Sequence, residues 1–216
     1  MSFSDRTDAG RQLAQALARF KGKSVYVYAL PRGGVPVAAE IAAALDAPLD
    51  LLLVRKIGAP VQPELAIGAV VDGGAPIVVR NEEVIQATGT REDEFQAICK
   101  RELAEIERRR RKYLQRRPAL DPEGRIAIVV DDGIATGATM RAALQATRKR
   151  KPRLLVLAVP VAAADSLDAL REEVDEVVCL EVPRYFGALG AFYEDFRQLS
   201  DDDVIDALAH FPTRKA

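Results

Sequence analysis

Two adjacent carboxylates, Asp131 and Asp132, follow the apolar run RIAIVV (125–130) and precede the small-residue turn GIATGAT (133–139). Ionised carboxylates accept hydrogen bonds from vicinal hydroxyls and coordinate hard cations. The turn can present backbone N–H groups and threonine hydroxyls at the start of a helix near Ala138, which suits a phosphate monoester. One short segment thus offers a site for a diol or metal beside a site for a phosphate, and together these describe a ribose 5-phosphate.

A second polar segment, LPRGG, follows the apolar run SVYVYAL (24–30). Gly33 and Gly34 let main-chain N–H groups come close to a ligand at the start of a helix, and Arg32 adds a cation. A strand-to-helix turn often uses glycine for purely structural reasons. These residues alone therefore leave an anion site and a plain turn both open.

A third polar segment, VRKIGAPVQPELAIG, follows the apolar run LDLLLV (49–54). Arg55 and Lys56 are expected to leave the strand there, and an irregular stretch with two prolines follows. Cations at the end of a strand, followed by a long loop, are typical of a mobile lid that binds an anion. Surface charge on an ordinary loop is the alternative.

Short apolar runs alternate with alanine- and leucine-rich segments along the whole chain, which predicts an α/β fold. Most runs are continuously apolar, as in parallel strands covered on both faces. The run AIGAVV (66–71) has PIVV (76–79) as a hairpin partner, and RLLVLAVP (153–160) and EVVCLEV (176–182) complete the pattern. We expect one domain over 1–216, an open and mostly parallel sheet with helices on both faces and a core at about 24–182. Ligands bind beyond the carboxyl ends of such strands, where the polar segments should meet.

The segment 91–117 carries apolar residues at helical spacing among Glu and Arg, and it predicts a long amphipathic helix. Its apolar stripe is wider than a small sheet needs, which favours a homodimer. The basic run from Arg108 to Lys112 is interpreted as a solvated face or dimer contact, since acidic residues precede it. Ser200 with Asp203 three residues later predicts a helix cap.

The composition excludes several classes of function. His210 is the only histidine, so a histidine-based metal site or a Ser-His-Asp triad has almost nothing to be built from. Cys99 and Cys179 are far apart and are interpreted as packing thiols. The formal net charge of −1 argues against nucleic-acid binding. We find neither a leader nor an apolar stretch of about 18 residues, and we expect a cytoplasmic protein without a membrane partner.

The segment VVDDGIATGATM resembles the phosphoribosyl pyrophosphate (PRPP) signature of the type I phosphoribosyltransferases. LPRGG resembles the pyrophosphate loop of that family, and VRKIGAP resembles the start of the flexible loop in its adenine and related members. VPRYFGALGAFYEDF resembles the terminal segment of the hypoxanthine-guanine enzymes. The three N-terminal motifs together are most similar to bacterial phosphoribosyltransferases of unassigned substrate. The likeness runs from about 25 to 199 and implies a small hood formed by the loop 57–80 and the segment 183–199.

The resemblance implies roles for the residues that match these motifs. Asp131 and Asp132 would bind the ribose hydroxyls directly or through Mg²⁺, as catalytic and metal-binding residues. Arg32 and Lys56 would be catalytic cations on the pyrophosphate. The PRPP-binding set would be Arg32, Gly33, Gly34, Arg55, Lys56, Asp131, Asp132, Ala135, Thr136, Gly137, Ala138 and Thr139.

The acceptor is only partly constrained. Phe186, with Tyr185 beside it, is the best candidate to stack on an acceptor base, and packed core is the alternative. Glu64 is a candidate general base or a solvated side chain. The hypoxanthine-guanine enzymes have an aspartate where this sequence has Ala135, whereas the adenine enzymes have alanine there, which weakens a 6-oxopurine assignment.

Three functions follow from these residues. The first is a Mg²⁺-dependent phosphoribosyltransferase that joins the ribose 5-phosphate of PRPP to a nitrogenous base or related amine. The second is a regulator that senses PRPP or nucleotides on the same fold. The third is a hydrolase of phosphoribosyl compounds. Retention of the pyrophosphate loop together with Arg55 and Lys56 favours the transferase.

Overall fold

The apolar runs form the strands of two separate sheets. The computed structural model describes residues 3–72, 76–115 and 117–211. Its strands are β1 (Val25–Ala29), β2 (Leu49–Leu51), β3 (Val54–Gly58), β4 (Ala66–Val71), β5 (Ile77–Arg80), β6 (Ile126–Val130), β7 (Leu154–Val161) and β8 (Glu176–Glu181). The five-stranded sheet has the order β2-β1-β6-β7-β8 with every pair parallel. The three-stranded sheet β3-β4-β5 is antiparallel, and it confirms the predicted hairpin.

Helices cover both faces of the parallel sheet, as predicted. They are α1 (Arg6–Ala16), α2 (Gly34–Leu45), α3 (Glu82–Thr88), α4 (Glu92–Leu114), α5 (Ala138–Lys149), α6 (Ala164–Arg171) and α7 (Asp201–Ala209). Successive residues of a strand point to opposite faces. Val27 therefore lies in the core that contains α1 and α2, whereas Tyr28 lies in the core that contains α5 and α6. The α/β class with an open parallel sheet is confirmed.

The run 49–54 was predicted as one strand, and this prediction is wrong. β2 ends at Leu51, and the chain crosses to the second sheet, where β3 begins at Val54. The expected loop start at Arg55 and Lys56 lies inside β3, whose residues pair with β4. The irregular part of the predicted lid is thereby shortened to the connection between β3 and β4.

Helix α4 confirms the predicted amphipathic helix, but its apolar stripe does not support the argument for a homodimer. Phe95, Cys99 and Ile106 are buried in the main core of this chain, which also contains Ile57 and Val70 of the second sheet. The stripe is wide because α4 covers a second sheet that the sequence did not reveal. The homodimer stays a prediction without this support.

The basic run at the end of α4 is neutralised by acidic residues of the same chain. Arg108 and Arg109 pair with Glu105, and Lys112 pairs with Asp201 at 2.6 Å. Arg110 pairs with Asp72 and Arg111 with Glu107. Such pairing fits the interpretation of this run as a solvated face.

The predicted cap of α7 is also present, since Ser200 and Asp203 form a reciprocal capping box.

Two expectations concern the chain as a whole. Among the described residues, no helix combines the length and the apolar character needed to cross a membrane. The extent of the domain, 1–216 with a core at about 24–182, stays a prediction. Helix α1 lies before that expected core, yet it packs closely on α2 through Leu13 and Ala14.

Helix α1 comes very close to α2 at Gly10. A Cβ atom there would lie 2.8 Å from the carbonyl oxygen of Val37 and 2.9 Å from the Cβ of Glu40. Alanine ordinarily stabilises a helix interior relative to glycine by about 1 kcal/mol. Here the added methyl group has to push the two helices apart.

We predict that Gly10→Ala lowers the free energy of unfolding by about 1–2 kcal/mol, because overpacking outweighs the gain in helix propensity. Urea denaturation followed by circular dichroism measures the change. Gly187→Ala is the control, since a Cβ at Gly187 meets nothing within 4 Å. A Gly10→Ala protein more stable than the wild type would contradict the tight contact.

Candidate active site

The acidic pair lies directly beyond the carboxyl end of β6, but its two members have different surroundings. Asp131 is half-buried and keeps contact with solvent, whereas Asp132 is only 7% exposed. The backbone N–H of Asp132 donates a 2.9 Å hydrogen bond to Oδ1 of Asp131. The two carboxyl groups also interact directly, through a hydrogen bond between their side chains.

The predicted pyrophosphate loop packs directly on this acidic pair. A Cβ at Gly33 would lie 2.0 Å from Oδ2 of Asp132, and one at Gly34 would lie 2.7 Å from the carbonyl oxygen of Val130. Only glycine allows this approach, because a side chain would displace the carboxylate or the strand. The peptide bond between Pro31 and Arg32 is cis. Two motifs a hundred residues apart in sequence thus form one surface.

Asp132 is held by residues that the sequence analysis did not select. Nε of Arg6 donates a hydrogen bond to Oδ2 of Asp132 at 2.7 Å, and each side chain is 10% exposed. The hydroxyl of Tyr193 donates to the backbone carbonyl of Asp132 at 2.5 Å. Arg6 is the first residue of α1, which Asp5 caps through the N–H of Asp8. Nothing in the local sequence distinguishes Arg6 from a surface arginine.

The predicted phosphate turn opens to solvent at the start of α5. Gly137 has φ 73° and ψ −2°, a left-handed conformation that favours glycine, and no side chain caps the helix here. The first amides of α5 have no acceptor within the helix. Ala135, Thr136, Ala138 and Thr139 are exposed, so their amides and hydroxyls are accessible to an anion.

A cavity of about 550 Å³ adjoins the phosphate turn, between the second sheet and α5. Thr136, Ala138 and Arg141 line one side, and Ala69 and Arg80 line the other. Arg80 is already engaged by the carboxylates of Glu82 and Glu92. The open turn therefore continues into a space large enough for a small molecule.

Arg55 and Lys56, predicted to act together, lie on opposite faces of the second sheet. Arg55 forms an ion pair at 2.8 Å with Glu102 of α4, and that carboxylate is 9% exposed. Lys56 is opposite Ala69, which lines the cavity beside the phosphate turn. Paired residues in antiparallel strands share a face. Lys56 thus belongs to the cavity side, and Arg55 belongs to the α4 side.

Lys56 has an acidic neighbour of its own. Its Nζ lies 3.2 Å from the carboxylate of Glu64 and 3.0 Å from the backbone carbonyl of the same residue. Glu64, the candidate general base, is almost fully exposed. The pair links β3 to the connection between β3 and β4.

Arg32 is exposed and lies near the start of α7. The pKa of Asp201 is lowered, chiefly by hydrogen bonds from Lys112 and Tyr113, and the nearby charge of Arg32 contributes in the same direction. No ion pair of Arg32 is found within the described parts of the chain. Its guanidinium is therefore accessible to an anion at the glycine loop.

The predicted acceptor residues differ in their surroundings. The ring of Phe186 stacks on Phe192 with centroids 5.4 Å apart, within a cluster that also contains Leu189. Leu189 approaches Gly133, the residue after the acidic pair. Tyr185 is 92% exposed and outside this cluster. Phe186 is thus near the acidic pair through its cluster, and Tyr185 is free at the surface.

Asp131 has a raised pKa. Burial among protein atoms is the largest cause, and the neighbouring charge of Asp132 is the second, while Arg6 acts in the opposite direction. Placing two carboxylates side by side disfavours ionisation of both. The site therefore concentrates negative charge that a cation or hydroxyl donors would relieve.

Comparisons with known proteins show the family to which the chain belongs. Residues 6–196 match the family model described as "Phosphoribosyl transferase domain". Two Mycobacterium tuberculosis proteins, each named "Putative phosphoribosyl transferase", are 48% identical over 94% of this chain and 45% of their own length. The chain thus spans about half the length of these curated relatives. The crystal structure of TT1426 from Thermus thermophilus is 41% identical, with a TM-score of 0.86 over 98% of this chain and 99% of that one.

The raised pKa of Asp131 predicts a pH-dependent effect on stability. Folding favours its protonated form, so its contribution is fully present below the unfolded pKa of about 3.9 and is lost as pH rises through the folded pKa. We expect Asp131→Asn to melt at a higher temperature than the wild type at about pH 7.5, with little difference at about pH 4. Thermal denaturation in metal-free buffer measures both.

Asp175→Asn is a control of opposite sign. A hydrogen bond from Arg148 is the main cause that lowers the pKa of Asp175, and the backbone N–H of Leu155 adds to it. Its stabilising contribution is present above the unfolded pKa and is lost as pH falls through the folded pKa, so the substitution should destabilise the protein at about pH 7.5. An Asp131→Asn protein that melts below the wild type at that pH would refute the electrostatic description.

Proposed function

Because the chain belongs to the phosphoribosyl transferase domain family, we propose that it transfers the ribose 5-phosphate of PRPP to a nitrogenous base or related amine. Pyrophosphate is the second product. The observation that carries the proposal is the direct contact between the glycine loop and the acidic pair, where Gly33 abuts the carboxylate of Asp132. Transfer at C1 of the ribose requires the loop that binds the leaving pyrophosphate to lie beside the acids that bind the ribose diol.

In the proposed reaction, the bond between C1 of the ribose and the pyrophosphate oxygen breaks, and its electron pair leaves with pyrophosphate. The lone pair of the acceptor nitrogen forms the new bond to C1 from the opposite face, and the proton of that nitrogen passes to water or to a side chain. Positive charge develops on the ribose ring between these events. Preorganised charges that match this redistribution supply most of the rate enhancement.

The residues of the chain divide this work. Arg32, Lys56 and the glycine-loop amides would neutralise charge on pyrophosphate. The acidic pair would fix the ribose hydroxyls and offset positive charge on the ring. The 5-phosphate would bind the exposed amides and hydroxyls of the turn from Ala135 to Thr139, at the start of α5.

Magnesium fits the site as an ion shared with the substrate. No cluster of three or more His, Cys, Asp or Glu side chains suited to a metal occurs in the described ranges. Mg²⁺ is commonly held by one or two carboxylates together with substrate phosphates. Asp131, half-buried and crowded by Asp132, is a suitable carboxylate. The ion would supply positive charge to the departing pyrophosphate.

Arg55 has a different role in this proposal from the one expected. Its guanidinium is paired with Glu102 on the α4 side of the second sheet, so we assign it to holding that sheet on α4. Lys56, on the side of the cavity, keeps its assignment to the pyrophosphate.

The acceptor is proposed only as a class. Phe186 in the terminal cluster supports stacking of a planar base near the acidic pair. Position 135 is an exposed alanine whose carbonyl accepts a 2.6 Å hydrogen bond from Ser166, so it supplies no carboxylate to a purine ring. The alanine at position 135 supports an acceptor other than a 6-oxopurine, whereas stacking on Phe186 would suit any planar base. The cytoplasmic location and the homodimer stay predictions.

The first prediction from this proposal concerns the activity itself. Purified protein with PRPP and Mg²⁺ should release pyrophosphate only when a suitable base is added, and a panel of nucleobases and simple amines would identify the acceptor. A coupled pyrophosphate assay measures the release, and a thermal-shift assay measures PRPP binding in parallel. Stabilisation by PRPP without base-dependent release would instead indicate a sensor, and release into water without any base would indicate a hydrolase.

A second prediction separates the two neighbouring cations. Lys56→Ala should lower PRPP turnover by at least about 10²-fold, the usual cost of removing one well-placed charge-stabilising group, and Asp132→Asn should do the same. Arg55→Ala is the matched control: it should reduce stability because it leaves Glu102 buried without this partner, while the turnover of the folded fraction falls much less. Equal losses of turnover in Lys56→Ala and Arg55→Ala would contradict the assignment of the two side chains to opposite faces of the second sheet.

A further inference from the structure

The side chain of Arg6 is held by three different contacts. Its Nε donates to Asp132 at 2.7 Å, and its Nη1 donates to the backbone carbonyl of Arg197 at 3.0 Å. Its Cζ lies 3.9 Å from the centroid of the Phe196 ring, as in a cation–π contact. Only the planar fork of arginine can make these contacts together.

The carboxylate of Asp132 is fixed just as closely. Arg6 engages Oδ2, Gly33 abuts both oxygens, and Tyr193 holds the backbone carbonyl of the same residue. Apart from Arg6, the neighbouring carboxyl of Asp131 is the only side-chain partner of this carboxylate found among the described residues. Arg6 thus anchors Oδ2, and Oδ1 keeps lone-pair capacity to accept a hydrogen bond from a hydroxyl group.

The position of Arg6 depends on two segments that are distant in sequence, the one before α1 and the one at 192–194. The N–H of Phe3 donates to the carbonyl of Phe192 at 2.8 Å, and the N–H of Glu194 donates to the carbonyl of Phe3 at 2.8 Å. The rings of Phe3 and Tyr193 are in contact, with centroids 5.4 Å apart. The segment before α1 is therefore paired with the terminal segment, and Arg6 lies where both meet the acidic pair.

We propose that Arg6 is a positioning residue: it holds the Asp132 carboxylate in the single orientation in which Oδ1 receives a ribose hydroxyl of PRPP. This inference rests on the proposed function, since it assigns Arg6 a task in the binding of the same substrate. If Arg6 served only stability, its replacement would lower activity only by lowering the fraction of folded protein. A positioning arginine also acts through the geometry of the acid that it holds.

The experiment compares Arg6→Met, Arg6→Lys and Arg11→Met. Arg11, also on α1, pairs with Glu40 at the surface and is the matched control. Arg6→Met leaves Asp132 unpaired and should unfold at a lower temperature. Arg6→Lys keeps the charge and should restore the melting temperature, but kcat with PRPP should stay roughly 10- to 100-fold below the wild type because the carboxylate is misplaced. Arg11→Met should retain wild-type kcat.

A double-mutant cycle shows whether Arg6 acts through Asp132. The loss of kcat in Arg6→Lys should largely disappear when it is measured in an Asp132→Asn background, because the oriented carboxylate is already absent. The stabilisation of the protein by PRPP in a thermal-shift assay should follow the same pattern. This second readout does not depend on an acceptor.

The outcomes distinguish the two proposals. If the wild-type protein turns over PRPP and Arg6→Lys has the same kcat, the positioning role is overturned and the proposed function stands. An equal loss of kcat in the wild-type and Asp132→Asn backgrounds would do the same. A wild-type protein that neither binds nor turns over PRPP would overturn the proposed function, and the role of Arg6 with it.

Discussion

The buried charge of Asp132 constrains the rest of the site. A carboxylate removed from water needs a cationic partner with good geometry, and loss of that partner costs about 3–5 kcal/mol in buried pairs. Arg6 supplies the partner from the first turn of α1, at a sequence distance of 126 residues. The segment before α1 and the terminal segment after β8 must therefore pack together over the end of β6. The pairing of these two segments thus keeps Arg6 beside the one acid that it neutralises.

The acidic pair shows how surroundings separate two identical side chains. Asp132 is anchored by Arg6 and packed against Gly33, so its orientation is fixed. Asp131 keeps access to solvent and has a raised pKa, because burial and the charge of Asp132 oppose its ionisation. Keeping it there costs stability in the empty protein. A ligand that brings hydroxyl groups or a cation relieves this cost, so binding is coupled to the electrostatics of the pair.

The sequence predicted the parts of the site that are encoded locally. A strand end, an acidic pair and a Gly-Thr turn lie within a few residues at 131–139, and hydrophobic periodicity places them at the carboxyl edge of a parallel sheet. Arg6 and Tyr193 could not be found in this way, since their partner is distant in sequence and neither has a local pattern. The second sheet was missed for a related reason: the apolar run 49–54 is continuous, although the chain changes sheets at Leu52 and Leu53.

The change of sheets also alters what Lys56 can do. In a loop, Arg55 and Lys56 could point toward one anion. In β3, alternation sends Arg55 to Glu102 of α4 and leaves Lys56 on the face of Ala69, beside the cavity that reaches Thr136. The position of Lys56 is then set by a sheet held between α4 and α5. In the proposed reaction, the position of Lys56 relative to the pyrophosphate would therefore depend on the packing of that sheet, to which the ion pair of Arg55 with Glu102 contributes.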